Sequence, residues 1–231
     1  MQISKWADRG EVFQSQLLLQ QPDIEHYSSM RQSENAMTDV WMPRQVHGAQ
    51  IYNIEQGIVT TDDGTERPEA DAVVCNVAGQ WIGVRTADCV PVLLYDPVKH
   101  VVAAVHAGWR GTVQHIVRRT LTHMADRYGC RMTDVWAMIG PSISPQAYEV
   151  GPEVAEQFVQ ADRAACIVAG GVRPHIDLWQ SNVMDMMEMD VPLDHIDCSP
   201  ICTYQHSDVL YSARREGIGT GRNVTAIRLK P

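Results

Sequence analysis

The chain lacks a surplus of basic charge, a long apolar run and any paired-cysteine motif, and each absence excludes a class of protein. Its 231 residues carry 19 lysines and arginines against 28 acidic residues, a formal net charge of −9. Nonspecific nucleic-acid binding needs clustered cations that displace counterions, so nucleic acid is not an expected partner. No segment approaches the roughly 18 to 20 uninterrupted apolar residues that cross a bilayer. The N-terminus mixes Lys5, Asp8, Arg9 and Glu11 and has no apolar signal-peptide centre. A cytoplasmic protein without membrane contact is therefore expected.

The six cysteines are scattered with no C-x-x-C pair, which leaves neither a zinc ribbon nor a thioredoxin-like motif. In a reducing compartment they serve as ligands, nucleophiles or small core residues. There is no internal repeat or low-complexity tract. No G-x-G-x-x-G follows a strand, which disfavours a parallel dinucleotide-binding sheet.

What is present is an ordinary globular composition, 45% hydrophobic and 20% charged, long enough for one large domain or two small ones. Valine-rich runs at 72–77, 81–85, 90–95 and 101–106 predict strands, their near-continuous apolar character pointing to burial on both faces. The acidic segment 60–68 predicts a surface loop. Helical spacing of Val113, Ile116, Val117, Leu121, Met124 and Tyr128 predicts one helix capped by Thr112 and ended by Gly129. A strand at 135–139, helices at 152–158 and 177–190, and a strand at 224–229 complete the pattern. Interleaved strands and helices give an α/β or α+β class.

Three short segments place reactive side chains beside turn-forming residues at strand ends. They are Arg44–Gly48 (RQVHG), Thr86–Pro91 (TADCVP) and His106–Gly111 (HAGWRG). A histidine, thiolate, histidine set leaves a fourth position open on tetrahedral zinc, as catalytic zinc sites require, and zinc activates water near neutral pH. The same residues also read as a metal-free hydrolase with Cys89 as nucleophile and His106 or His47 as base. Spacing does not separate the two. Asp88 is an acid positioned to shuttle protons, and Arg110 precedes a helix start where phosphate is favoured. Arg222 is a second candidate for an anion, and Trp109 for one wall of a base pocket.

At these segments the chain closely resembles the laccase-domain family, whose members have been called polyphenol oxidases, purine nucleoside phosphorylases and peptidoglycan-editing factors. The matching text is QVHGA, ADAVV, TADCVPVLLYD, HAGWRG, IGPSISPQAYEVG, and CT with SARREGIGTGR, spread over about residues 43–229. The resemblance implies that His47, Cys89 and His106 are metal ligands, with zinc usual and copper an alternative. It implies one compact multilayer mixed-sheet domain with flanking helices over residues 1–231. It further implies phosphorolysis of adenosine, inosine and methylthioadenosine, and deamination of adenosine, with a nucleoside and phosphate as partners. Alternatives are a Cys-His amidase acting on peptidoglycan precursors, a copper polyphenol oxidase, or an inactive metal-binding protein. The family's N-terminal R-G-G-x-S-like turn and N-L-G segment are not found here, so segment 1–42 is divergent or shortened.

Overall fold

Several strands in the centre of the chain are apolar at nearly every position because protein covers both of their faces. A computed structural model describes residues 2–6, 10–36, 39–55, 67–168 and 172–231; the expected loop at 60–68 lies outside them up to residue 66. The first half forms β1 (Gln2–Trp6), β2 (Gly10–Gln14), β3 (Ile24–Ser29), β4 (Ile51–Ile54), β5 (Ala72–Cys75), β6 (Ile82–Thr86), β7 (Val90–Asp96) and β8 (Val101–Ala107). Helices α1 (Trp109–Val113) and α2 (Ile116–Tyr128) follow, then β9 (Trp136–Ile139) and α3 (Pro152–Gln160). The remainder is β10 (Ile167–Val168), β11 (His175–Ile176), α4 (Leu178–Met187), β12 (Ile196–Cys198), α5 (Ala213–Glu216) and β13 (Asn223–Leu229).

A six-stranded mixed sheet runs β12-β9-β7-β8-β5-β4, and a five-stranded antiparallel sheet runs β1-β2-β3-β13-β6. Side chains alternate across the six-stranded sheet with period two. Val74, Val92 and Val105 meet Ile116 and Leu121 of α2 and Met186 of α4 on one face. Val73, Leu93, Val102 and Ala104 meet Ile82, Val84 and Ile227 of the other sheet on the opposite face. The six-stranded sheet is thus the middle layer, which is why β7 and β8 are buried along their whole length. The α/β multilayer expectation holds, and the strands expected at 72–77, 81–85, 90–95 and 101–106 all form.

One expectation needs correction. The single helix expected from Thr112 to Gly129 is two helices, because His115 adopts a left-handed conformation with φ of 57°. Its ring Nδ1 lies 2.8 Å from Asp185 Oδ1, and Asp185 also accepts from Arg163 at 2.5 Å. This buried charge cluster draws His115 out of the helical path at the cost of an unfavourable backbone. Thr112 accordingly lies inside α1, which starts after Gly108. Gly129 does end α2 in the left-handed conformation, with φ of 69°.

Residues 2–29, for which the sequence supplies no secondary-structure expectation, form β1, β2 and β3. Polar residues conceal β3: His26, Ser28 and Ser29 are all buried in it. Ser28 shares a hydrogen bond with Thr225 at 2.9 Å, and Ser29 Oγ accepts the Val224 N–H at 2.8 Å. His26 Nε2 accepts the Ser15 N–H at 2.9 Å, while the Ser15 hydroxyl donates to Asp197 of β12. This chain of bonds links the N-terminal strands to the edge of the middle sheet.

Burial lowers the pKa of His26 to about 4, against the opposing pull of the Asp197 carboxylate. The unfolded chain takes up this proton from about pH 6.5 downward, while the folded protein resists until about pH 4. Stability therefore falls with falling pH across that window. Urea denaturation should lose about 2 kcal/mol from this group between about pH 7 and about pH 5. His26→Gln, which keeps an acceptor for Ser15, should remove that part of the slope.

Candidate metal centre

Strand register assembles the site. In the β7–β8 pair Val90 lies opposite Ala107 and Pro91 opposite His106, so Cys89, just before β7, falls beside Gly108, just after β8. A Cβ on Gly108 would lie 3.1 Å from Cys89 Sγ and 3.2 Å from His47 Cδ2. Only a glycine leaves both side chains in place. On the other side of β8, Ala72 of β5 lies opposite Val105, which sets Asp71 beside His106. The His106 N–H donates to the Asp71 carbonyl at 2.7 Å.

The Asp71 carboxylate then joins two separate parts of the chain. His106 Nδ1 donates to its Oδ1 at 2.7 Å, which leaves Nε2 for a ligand. The same carboxylate accepts backbone N–H groups from Val46 at 3.3 Å, His47 at 2.9 Å and Gly48 at 2.6 Å. His47, with a left-handed φ of 59°, is held in its turn by these bonds. The rings of His47 and His106 meet edge to face with centroids 4.7 Å apart. The ligand atoms of His47, Cys89 and His106 all lie within 4.8 Å of one another.

Charge supports the geometry. Burial resists ionisation of Cys89, but His106 and His47 outweigh it and bring the thiol down to about 6. Burial opposes protonation of His106, yet Cys89 and Asp71 raise it to about 9. Burial resists ionisation of Asp71 too, and His106 with the Gly48 and Val46 N–H groups holds it below its usual range. By contrast, burial raises Cys75, Cys130, Cys166 and Cys198. One thiolate and two imidazole nitrogens, one of them fixed by a carboxylate, fit a transition-metal ion with a position left open.

The profile of a family described as multi-copper polyphenol oxidoreductase laccase matches residues 24–230. The chain belongs to this family. Over 163 residues it is 44% identical to a purine nucleoside phosphorylase of Bacteroides thetaiotaomicron, covering 69% of this chain and 60% of that one. The match thus spans less than two thirds of that relative. Over 202 residues it is 37% identical to adenosine deaminase RL5 from an unknown prokaryotic organism, covering 84% and 76%. The crystal structure of YlmD from Geobacillus stearothermophilus shares the fold, with a TM-score of 0.84 over 99% of both chains at 22% identity.

In this laccase-family chain the three candidate ligands face an open cleft of about 730 Å³ that also borders Arg44, Arg85 and Arg222. Arg222 reaches it while donating to the carbonyls of Ile218, Thr220 and Gly221, and so braces its own loop. Asp88, with φ of 92°, is buried; its carboxylate accepts the Thr203 hydroxyl and the Arg214 N–H, each at 2.6 Å. Arg110 is exposed and lies over the Trp109 ring at 4.4 Å, and Trp109 packs against the helix-side core. Neither borders the cleft, though Arg110, Arg214 and Cys89 all act electrostatically on Tyr148.

Asp71 is the residue that sequence reasoning passed over. Its signal was an acid placed directly before the apolar strand at 72–75, inside ADAVV. Gln45 is another: its amide pairs with both backbone groups of Arg85 at 2.8 Å and ties the His47 segment to β6. Asp71→Asn keeps the shape but weakens the hold on His106 Nδ1. Titration against a coloured chelator should show metal affinity reduced about 10- to 100-fold, with the folded state retained by circular dichroism.

Proposed function

We propose that this protein is a zinc-dependent enzyme of purine nucleosides, phosphorolysing adenosine, inosine and methylthioadenosine and deaminating adenosine. The observation that carries this reading is the His47, Cys89 and His106 cluster at an open cleft, in a chain whose relatives bear those activities as names. Zinc at these ligands supplies a Lewis acid with an exchangeable position. Copper is the alternative ion for the same donor set.

The remaining chemistry belongs to the chain itself. Asp71 keeps His106 in the tautomer whose Nε2 faces the site. Asp88, buried directly before Cys89 and not itself lining the cleft, is the acid assigned to hold and move a proton; each carboxylate oxygen accepts one bond and keeps a second lone pair. Arg222 borders the cleft and orients an anion there, while Arg110 adds positive charge at the start of α1. Trp109, beneath the Arg110 guanidinium, stiffens that side.

A second reading has its own observation. Cys89, lowered to about 6 beside a His106 that Asp71 orients, is also the arrangement of a Cys-His-Asp hydrolase. The metal-free protein distinguishes the two. With the thiol lowered, iodoacetamide should alkylate Cys89 at a nearly constant rate from about pH 9 down to about pH 7, falling to half near pH 6 and further below. Stoichiometric zinc should abolish this alkylation in the metal enzyme. A protein purified without metal that cleaves amides and is inactivated by the reagent would instead establish the hydrolase.

Product analysis with adenosine tests the main reading. Adenine and ribose 1-phosphate should form only when phosphate is present, and inosine should form without it. Cys89→Ala should lose bound zinc and all three products together. Absence of all three products from a zinc-loaded, folded protein would overturn the proposal.

A further inference from the structure

The charge of the metal cleft runs against that of the molecule. The chain carries nine more acidic than basic residues, yet the described residues lining the cleft include four arginines, Arg44, Arg67, Arg85 and Arg222, and neither an aspartate nor a glutamate. A cleft of one sign with low-dielectric walls focuses its field and concentrates anions of the opposite sign. One phosphate for phosphorolysis does not require cations along the whole wall.

Two of these arginines form a built edge. Arg85 is the exposed residue of β6, between buried Val84 and Thr86. Its backbone is clamped through both its N–H and its carbonyl by Gln45, the residue after Arg44. Arg44 is itself pinned by backbone bonds to Pro68 and Ala70. Its guanidinium faces Glu69 in an ion pair with both side chains more than half exposed. Such a pair is weak, and an incoming phosphate competes with it readily. Arg44 precedes the ligand His47 by three residues and Arg85 precedes Cys89 by four. Extended chain of that length reaches no further than roughly 11 to 14 Å between Cα atoms, and both arginines line the same cleft as the three residues His47, Cys89 and His106.

We propose that the preferred purine substrate is a nucleotide, a nucleoside carrying its own phosphate, with that phosphate held by Arg44 and Arg85 while the reacting end lies at His47, Cys89 and His106. The inference rests on the purine reading above and narrows its substrate class. It separates two sources of the same anion. Inorganic phosphate attacks at the ribose and belongs near the reacting atoms, whereas the substrate's own phosphate lies at the far edge of the cleft.

The test uses the zinc-loaded full chain with adenosine, adenosine 5′-monophosphate and inorganic phosphate. The kcat/KM for the monophosphate should exceed that for adenosine by about tenfold or more at low ionic strength, and added salt should shrink the ratio. In the Arg44→Gln, Arg85→Gln double variant the ratio should fall toward one. The KM for inorganic phosphate should not carry the change. Adenosine turned over as well as the monophosphate overturns this inference and leaves the nucleoside reading standing. A double variant whose defect lies in the KM for inorganic phosphate overturns it as well, assigning the two arginines to the co-substrate. If no purine is turned over, calorimetric binding decides: monophosphate bound by the wild type and lost in the double variant supports the site. No binding by the wild type removes it.

Discussion

The carboxylate of Asp71 is the constraint on which the candidate metal centre depends, because it is buried and serves two parts of the chain at once. It orients His106, which the β8 strand already positions, and it captures the 46–48 turn, which no regular element holds. A buried carboxylate is costly unless its charge is met by several donors, and here the ring and three N–H groups meet it. The satisfaction of one charge and the geometry of two ligands are therefore the same set of bonds. Cys89 completes the site from β7 through strand register alone.

That register is enforced by the layers. A slip of one residue in β8 would turn Val102 and Ala104 toward the helices and Val105 toward the second sheet, exchanging the two cores. The site thus inherits its precision from packing on both faces of the middle sheet. Gly108 adds a steric condition where β8 ends, since any side chain there would enter the space of Cys89 and His47.

Charge is distributed unevenly over this frame. An acidic molecule places four arginines and, among the described lining residues, no acid at the cleft, and holds a buried ion cluster around Arg163 and Asp185 beside α2 and α4. The net charge of −9 does not describe the surface that a small anion meets at the cleft.

The middle strands, α3, α4 and β13 were legible because apolar periodicity records burial, and burial is a property of local composition. The three ligands were named from motif resemblance to a known family, since their spacing of 42 and 17 residues carries no local ligand grammar. Strand β3 was not legible, because its buried serines are satisfied by partners as distant as Thr225 and Val224 and its histidine by Ser15. The break at His115 was hidden for the same reason, its partner Asp185 lying 70 residues away. Asp88 and Arg222 were visible as reactive types, but their hydrogen bonds to Thr203, Arg214 and the 218–221 carbonyls were not. The sequence by itself determined the layer class, which follows from local apolar pattern, and the family, which follows from its motifs taken together, and through that resemblance it pointed to the three candidate donor residues. Only the tertiary structure decided which acid orients them, which arginines line the cleft and where the main helix breaks, because those are settled by hydrogen bonds and charges between residues remote in the chain.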